Sequence, residues 1–255
     1  MTQVSGFRSQ VSLSAVILAG GFGTRLRSVV REVPKPMAPV AGRPFVEWVV
    51  RYLAAQGVSR VVLSTGYLAG VIEDHFDGLR LPGIEEVRCV PETDPLGTAG
   101  GFLQAAHGAL DWSPDVWICL NGDSLALAPL GGMVRSAAEG TPSVLALRMH
   151  DAARYGSLEI SESGRLRGFH EKRPGPAWIN AGAYAIPGAR LAGFPMKRPL
   201  SWETDVFPGW IDAGDGVVAE RVEGPFLDIG LPESYSEAEG FVRSNAGWFG
   251  AGAAL

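Results

Sequence analysis

A glycine-rich stretch near the start of the chain carries the residue types that hold an anion. It directly follows the apolar run Leu13–Leu18 and reads LAGGFGTRL over residues 18–26. Glycines leave backbone N–H groups bare in a tight loop, so such a loop can surround phosphate oxygens. Arg25 adds a guanidinium whose forked donors match those oxygens, and Lys35 follows between two prolines. The stretch therefore predicts a loop that binds a phosphate-bearing ligand.

The stretch does not fully match either of two well-known phosphate-binding loops. A P-loop requires a lysine directly after its last glycine, and no lysine stands at that place. The dinucleotide pattern G-x-G-x-x-G is met at Gly21 and Gly23, but Leu26 occupies the position of the third glycine. A plain glycine-rich turn between a strand and a helix remains as the simplest alternative.

Two aspartates come at or near the ends of later apolar runs. Asp123 follows the run at 116–120, and the carboxyl ends of strands in open α/β sheets are where ligands bind. The alternative for Asp123 is an Asx turn. Asp228 stands among apolar neighbours, where a carboxylate must be paired or must bind a metal.

A second glycine-rich segment, at 95–101, precedes a predicted helix. Its small residues would let a flat ring approach the backbone, whose N–H and C=O groups can read the edges of a base. Glu92 lies just upstream. The alternative is a helix N-terminus that Thr98 caps.

Three small clusters in the second half of the chain carry groups that suit a sugar phosphate. Tyr155 and Gly156 precede a strand, and the aromatic ring can lie against a pyranose. Glu171 can accept hydrogen bonds from sugar hydroxyls, and the neighbouring Lys172 can donate hydrogen bonds to a phosphate. Asn180 puts an amide into an apolar strand, where it needs hydrogen-bond partners. Each cluster alone could equally be a solvated pair or a satisfied core amide.

The elements that must position these residues alternate in type. Apolar runs at 13–18, 60–64, 86–90 and 116–120 predict buried strands, and an amphipathic helix is predicted between Pro44 and Gly57. Strands that alternate with helices indicate right-handed β-α-β units and a parallel sheet. Beyond residue 142 the runs become short and are separated by turn pairs. Further helices are predicted from about residue 200 and over 232–243, and the end at 247–255 is expected to fray.

The composition indicates a globular protein. Of 255 residues, 46% are hydrophobic and 19% are charged, which suits one large domain with a well-filled core. The net charge of −5 argues against a nucleic-acid partner, whose binding would require a basic face. Cys89 and Cys119 stand in apolar runs and are predicted to be buried thiols.

No membrane partner is expected, because no apolar run approaches the ~20 residues of a membrane span. The run at 11–20 faintly resembles a signal peptide, but cleavage there would destroy the glycine loop. We therefore predict a cytoplasmic protein.

Taken together, these motifs resemble the signature of the sugar-phosphate nucleotidylyltransferases, Gly-Gly-x-Gly-Thr-Arg-Leu followed by Pro-Lys-Pro. The resemblance covers about residues 13–240. The segments at 31–39 and 40–45 and the short chain are most similar to the D-glycero-D-manno-heptose 1-phosphate guanylyltransferases. The resemblance implies an α/β fold of the nucleotide-diphospho-sugar transferase (GT-A-like) type. In that fold a Rossmann-like, mostly parallel sheet is flanked by helices and extended by a mixed sugar-binding subsheet.

The resemblance also implies a domain organisation and a set of site residues. A flexible tail (1–11) would precede a single nucleotidyltransferase domain (12–245), with a nucleotide-binding half (12–140) and a sugar-phosphate-binding half (141–245). The residues expected to act in catalysis are Arg25, Lys35, Asp123, Lys172 and Asp228, of which Asp123 and Asp228 would hold Mg²⁺. The residues expected at the nucleotide are Leu18, Ala19, Gly20, Gly21, Gly23, Thr24, Arg25, Glu92, Gly97, Thr98 and Asn121. The residues expected at the sugar phosphate are Tyr155, Gly156, Glu171, Lys172, Asn180, Gly182 and Glu203.

The implied activity is nucleotidyl transfer from a nucleoside triphosphate, with GTP favoured, to a sugar 1-phosphate, with heptose 1-phosphate favoured. A hexose-1-phosphate thymidylyl- or uridylyltransferase stays open, as does a catalytically silent nucleotide-sugar sensor or regulatory subunit. An NAD-dependent dehydrogenase is a third alternative, against which the missing third glycine counts. The oligomeric state stays open, with a homodimer as one option.

Overall fold

The computed structural model describes residues 11–21, 23, 25–26, 29–30, 32–194 and 199–250. The predicted tail at 1–11 lies outside the described residues apart from Val11, and so does the predicted nucleotide contact Thr24.

The described residues form an α/β structure with thirteen strands and seven α-helices. The strands are β1 (Leu13–Leu18), β2 (Pro39–Val40), β3 (Arg43–Pro44), β4 (Arg60–Thr65), β5 (Glu86–Pro91), β6 (Val116–Asn121), β7 (Ser124–Ala126), β8 (Ser143–Met149), β9 (Ser157–Ile160), β10 (Leu166–His170), β11 (Ala177–Pro187), β12 (Val218–Val222) and β13 (Phe226–Asp228). The helices are α1 (Phe45–Ala55), α2 (Ala69–Phe76), α3 (Thr98–His107), α4 (Gly131–Ala138), α5 (Phe207–Asp212), α6 (Pro232–Ser236) and α7 (Ala238–Ser244). None of the described helices is long and apolar enough to cross a membrane.

Nine of the described strands form one sheet with a parallel core. Strands β6, β1, β4 and β5 lie side by side and are all parallel. The sheet continues beyond β6 through the antiparallel strand β11, which also pairs with β8 and β9. Strand β10 pairs with β9, and β12 pairs with β8. The predicted parallel sheet and its mixed extension are thus confirmed, and β11 joins the two parts.

Strand β1 illustrates why the parallel core is apolar throughout. Ala15 and Ile17 face one hydrophobic cluster, which includes Trp48 of α1, whereas Val16 faces a second cluster, which includes Phe102 of α3. All five side chains are fully buried. A strand that is covered by helices on both faces requires apolar residues in succession rather than in alternation.

Residues 247–250 differ from the expectation that the segment 247–255 frays, and residues 251–255 lie outside the described residues. Residues Ala246–Phe249 form a 3₁₀-helix that packs on α1. Phe249 is buried and meets Trp48 edge to face, with ring centroids 5.2 Å apart. The aromatic residues within this Gly/Ala-rich segment supply the apolar area that anchors it.

The predicted helix at 232–243 is divided into α6 and α7. The hydroxyls of Ser234 and Ser236 donate to the carbonyls of Leu231 and Glu233 three residues back, at 3.2 and 2.6 Å. Serine side chains that bond to nearby carbonyls compete with helical backbone hydrogen bonds. The helix predicted from residue 200 begins instead with a π-helical turn at Trp202–Val206, which leads into α5.

Candidate active site

The two predicted metal-binding aspartates are brought together by a short antiparallel pairing. Strand β13 pairs with β7 so that Asp228 lies opposite Ser124, the residue that follows Asp123. The N–H of Ile229 donates to the carbonyl of Asp123 at 3.0 Å and extends the pairing by one step. Two residues that are 105 positions apart in the sequence therefore end at one place, beside the carboxyl end of β6.

The Lys35 ammonium lies between these two carboxylates. Its Nζ donates to Oδ2 of Asp123 at 2.7 Å and lies 3.8 Å from Oδ1 of Asp228. The Lys35 side chain is only 13% exposed. It enters from the 3₁₀-turn Lys35–Met37, whose preceding residue Pro34 is extended. Because prolines restrict the backbone on both sides of Lys35, the direction in which its side chain leaves the backbone is restricted before any ligand binds.

The glycine loop and these charged residues line one open cleft of about 500 Å³. Gly23 and Arg25 come from the loop, and Arg25 is exposed. The remaining residues that line this cleft are Leu18, Gly21, Lys35, Pro36, Asn121, Asp123, Ser124, Tyr155, Asn180, Ala181, Phe226, Asp228 and Gly230. We call this space the phosphate basin.

A second space of about 570 Å³ adjoins the phosphate basin and is called here the nucleotide basin. The two basins share Leu18, Gly21, Asn121 and Asp123. The nucleotide basin is lined in addition by Gly20, Gly66, Tyr67, Glu92, Thr93, Asp94, Pro95, Leu96, Gly97 and Thr98. Both predicted glycine-rich segments thus face one continuous cleft, and Asp123 stands where its two parts meet.

The loop before α3 is held by the segment that precedes the π-helical turn. The N–H groups of Ala99 and Gly100 both donate to the carbonyl of Leu200, at 3.0 and 3.1 Å. A Cβ on Gly97 would lie 2.5 Å from the same carbonyl oxygen, and the φ of Gly97 is +78°. Thr98 is the first residue of α3 and not its N-cap. The alternative that Thr98 caps this helix is therefore wrong.

Glu92 occupies the wall of the nucleotide basin, but it also has partners inside the protein. Its Oε1 accepts from the Ser64 hydroxyl at 2.6 Å, and its Oε2 accepts from the Leu96 N–H at 3.3 Å. Gly101 leaves room for this carboxylate, since a Cβ there would lie 2.5 Å from Oε1. The carboxylate thus joins β4 to the loop. Its contact with a base stays a prediction.

Asn180, which lines the phosphate basin, stands beside a bulge in β11. The pairing of β11 with β8 shifts between Asn180 and Tyr184, and Gly182 within the bulge has a φ of +70°. A Cβ on Gly182 would lie 2.2 Å from Nδ2 of Asn121, so glycine allows the two strands to meet closely. The bulge thereby brings residues from the second half of the chain against the end of β6.

Asn180 also belongs to a network centred on Glu203. Its Nδ2 donates to the Tyr184 hydroxyl at 2.8 Å and to Oε1 of Glu203 at 3.2 Å. The Tyr184 hydroxyl donates to the same Oε1 at 3.0 Å. Burial and the Glu203 carboxylate raise the pKa of Tyr184 well above its ordinary value, so the hydroxyl keeps its proton.

Tyr155 lines the phosphate basin near Asp228. Its ring meets Phe226 edge to face, with centroids 5.3 Å apart. Burial and the neighbouring Asp228 carboxylate raise the pKa of the Tyr155 hydroxyl. The ring is therefore a neutral wall of the basin at neutral pH.

Several predicted site residues do not line either basin among the described residues. Ala19 is buried, and its N–H donates to the Ser64 carbonyl. Gly156 accepts from the Asn180 N–H through its carbonyl. Glu171 and Lys172 are exposed in the segment after β10. Their roles at the nucleotide or the sugar phosphate stay predictions.

Other residues, which were not predicted, also line the cleft. Ser124, Phe226 and Gly230 line the phosphate basin, and Tyr67 lines the nucleotide basin. Ser124 and Gly230 lie within two residues of the predicted aspartates, so adjacency would have found them. Tyr67 follows the carboxyl end of β4, and the rule that ligands bind there could have found it.

The paired aspartates suit a hard divalent cation. Both carboxylates reach one ammonium, so their oxygens already converge on a single positive charge. The described residues contain no group of three or more His, Cys, Asp or Glu side chains that could hold a metal. Mg²⁺ is commonly bound by one or two carboxylates, with phosphate oxygens and waters completing the octahedron. The donor set therefore fits a cation that arrives with a polyphosphate.

Comparisons with known proteins find relatives that match most of the chain. The chain is 35% identical to a D-glycero-alpha-D-manno-heptose 1-phosphate guanylyltransferase from Aneurinibacillus thermoaerophilus, over 89% of this chain and 97% of that protein. It is 34% identical to a mannose-1-phosphate guanylyltransferase from Mycobacterium tuberculosis, of which it spans 64% of the length. The crystal structure of HddC from Yersinia pseudotuberculosis complexed with GMP-PN superposes with a TM-score of 0.77. That pair is 32% identical, and 89% of this chain and 98% of that chain are covered.

The family assignment follows from a match over nearly the whole chain. The profile described as nucleotidyl transferase matches residues 14–245, which include both glycine-rich segments and both aspartates. The heptose enzyme confirms the predicted resemblance at an identity above 30%. The chain belongs to the nucleotidyl transferase family.

Proposed function

We propose that this chain transfers a nucleotidyl group from a nucleoside triphosphate to a sugar 1-phosphate, giving a nucleotide-diphospho-sugar and pyrophosphate. The favoured pair is GTP and a heptose 1-phosphate. The observation that carries the proposal is the position of Lys35 and Asp123, where the phosphate basin meets the nucleotide basin. A triphosphate that entered one basin and a sugar phosphate that entered the other would meet beside these charges.

The reaction is an in-line displacement at the α-phosphorus. An oxygen of the sugar 1-phosphate forms the new P–O bond, and the bond from the α-phosphorus to the α,β-bridging oxygen breaks. Pyrophosphate leaves with the electron pair, so atoms and charge balance without a protein nucleophile. Because two anions must approach each other, the protein contributes mainly by positioning and by neutralising charge.

Three cationic side chains have separate tasks in this proposal. Arg25 and Lys35 line the phosphate basin and would neutralise the triphosphate and the departing pyrophosphate. Lys172 is exposed on the segment after β10 and would bind the incoming sugar phosphate. Arginine suits the triphosphate because its fork can contact two oxygens, whereas a lysine acts as a point charge.

Asp123 and Asp228 would hold Mg²⁺. When bound, Mg²⁺ supplies positive charge to the α-phosphate oxygens. Lys35 contacts both carboxylates in the structure, so its ammonium reduces the repulsion between the two aspartates before ligands bind. Once the nucleotide is bound, the Lys35 ammonium would contact its phosphates.

The favoured substrates rest on the relatives and on the nucleotide basin. Two relatives are named guanylyltransferases, one for a heptose 1-phosphate and one for mannose 1-phosphate. Guanine needs an acceptor for its N1–H and its amino group. Glu92 or a carbonyl of the loop at 95–98 could supply that acceptor in the nucleotide basin. A carboxylate at that place would disfavour bases that present a carbonyl there.

The proposal is tested by a pyrophosphate-release assay with Mg²⁺ across GTP, ATP, UTP, CTP and dTTP. Each triphosphate is paired with heptose 1-phosphate, mannose 1-phosphate and glucose 1-phosphate. We expect the highest kcat/KM for GTP with heptose 1-phosphate. Equal or better turnover with UTP or dTTP would refute the base, and better use of glucose 1-phosphate would refute the sugar. Release of pyrophosphate from no pair would refute the activity itself.

A further inference from the structure

The carboxylate of Glu203 links the two halves of the cleft. Its Oε1 accepts from Asn180 and Tyr184, at 3.2 and 3.0 Å. Its Oε2 accepts from the Ser201 hydroxyl at 2.8 Å and from the Thr98 hydroxyl at 3.4 Å. Asn180 lines the phosphate basin and Thr98 lines the nucleotide basin. One side chain thus contacts a residue from each basin.

This arrangement leaves Glu203 little capacity for a ligand. A carboxylate has about four lone-pair sites, and protein donors occupy all four here. Glu203 is half-buried and is not among the described residues that line either basin. A sugar hydroxyl could bind to Glu203 only by displacing one of these donors. The four protein donors therefore favour a structural role for Glu203 over the expected direct contact with the sugar.

The contact with Thr98 is reinforced by the backbone around it. The Thr98 hydroxyl accepts from the Trp202 N–H at 3.1 Å while it donates to Glu203. The Leu200 carbonyl holds the next two N–H groups of α3, and the Leu200 N–H donates to the Leu96 carbonyl at 2.7 Å. The loop at 96–100 and the segment at 200–203 therefore form one hydrogen-bonded unit. A displacement of either would move the other.

We propose that Glu203 is a positioning residue that couples nucleotide binding to sugar-phosphate binding, rather than a ligand of the sugar. The inference rests on the proposed function, because it requires both substrates to occupy the cleft. Binding of a nucleotide against Thr98 fixes the 200–203 segment, and Glu203 then fixes Asn180 in the sugar half. Coupling between two sites is reciprocal, so each ligand raises the affinity for the other by the same factor.

The test measures this factor directly in the intact protein with Mg²⁺. Calorimetric titration gives the Kd of α,β-methylene-GTP, which cannot release pyrophosphate, with and without saturating D-glycero-α-D-manno-heptose 1-phosphate. The reverse titration gives the Kd of the sugar phosphate with and without the analogue. We expect about fivefold or greater tightening in both directions for the unmodified chain. Equal Kd values in the presence and absence of the second ligand would overturn the inference.

Two variants separate a coupling role from direct sugar binding. Thr98→Val removes the hydroxyl on the nucleotide side and should reduce the coupling factor towards one. It should also raise the KM for the sugar phosphate, although Thr98 is not among the residues that line the phosphate basin. Glu203→Ala should raise the KM of both substrates. If Glu203→Ala raised only the sugar-phosphate KM while Thr98→Val left that KM unchanged, Glu203 would be a sugar ligand and the inference would be wrong.

Matched controls exclude a loss of folding. Thr98→Ser keeps the hydroxyl and should restore the coupling. Thr204→Val changes an exposed threonine of the same π-helical turn and should leave the coupling unchanged. Absence of turnover with every substrate pair would overturn the proposed function, and the inference with it. Turnover without coupling would overturn the inference alone.

Discussion

Gly23 lies against Lys35 so closely that a side chain at position 23 would displace Lys35. A Cβ on Gly23 would lie 2.7 Å from the Cβ of Lys35, and the φ of Gly23 is +56°. Side chains are strained at this φ, and the contact would force Lys35 to move. The glycine loop therefore packs against the base of the side chain whose ammonium contacts both aspartates.

We predict that Gly23→Ala lowers kcat about tenfold or more, because a shift of about 1 Å in a positioning group can cost a hundredfold in rate. The melting temperature should change little, since the loop lies at an exposed cleft. Steady-state kinetics and a thermal melt measure the two effects. Gly70→Ala is the control, because a Cβ on Gly70 would meet nothing within 4 Å. Unchanged kcat in Gly23→Ala would contradict the role given to the loop.

Asp123→Asn and Asp228→Asn should each abolish most turnover while the fold stays intact. Asparagine keeps the shape of aspartate but provides no charge for a cation or for Lys35. Activity should be measured over a range of Mg²⁺ concentrations, and circular dichroism should confirm folding. Asp212→Asn, an exposed change at the end of α5, should behave as the unmodified chain. Full activity of either variant at limiting Mg²⁺ would show that the metal assignment is wrong.

Arg25→Ala and Lys172→Ala should affect different substrates. Loss of a charge-assisted hydrogen bond costs about 1.5–3 kcal/mol, or roughly a tenfold to hundredfold loss of affinity. The KM of the triphosphate should rise in Arg25→Ala, and the KM of the sugar phosphate should rise in Lys172→Ala. Arg173→Ala, which removes a neighbouring exposed charge, is the control. A higher KM for the sugar phosphate in Arg25→Ala, or for the triphosphate in Lys172→Ala, would contradict this division.

Much of the fold could be predicted because its signals are local. Four apolar runs and the helix after Pro44 gave the parallel strands β1, β4, β5 and β6 and α1, with ends within one or two residues. The two glycine-rich segments could be located because glycine has a physical use wherever backbone approaches a ligand. The contact of Asp123 with Lys35 was not predicted, since no local signal joins residues 88 positions apart.

The interactions of Glu92 and Glu203 could not be predicted from the sequence. Their residue types indicate groups that face a ligand, and the structure shows in addition that each carboxylate accepts hydrogen bonds from protein donors. Donors such as Ser64 and Tyr184 come from strands distant in sequence, and their directions depend on strand register. The bulge at Gly182 changes that register and had no signal beyond a single glycine.

Both cysteine thiols should resist modification in the folded protein. Cys119 is completely buried, as predicted, whereas Cys89 is only half-buried. Burial raises the pKa of Cys89 to about 11 and raises the pKa of Cys119 further. Because the thiolate is the reactive form, a rise of two pKa units slows the reaction about a hundredfold. Titration with a thiol-reactive dye at pH 8 should find no fast-reacting thiol in the native chain and two thiols after denaturation. One fast-reacting native thiol would contradict the raised pKa of that cysteine.

The measurement that tests the central claim most directly follows both products of one reaction. The chain is incubated with GTP, heptose 1-phosphate and Mg²⁺, and pyrophosphate and nucleotide-diphospho-heptose are quantified from the same samples. Nucleotidyl transfer predicts that the two products appear in equal amounts and at equal rates, and that Asp123→Asn forms neither. Pyrophosphate or phosphate released from GTP without the nucleotide sugar, or binding of both substrates without any product, would contradict the account.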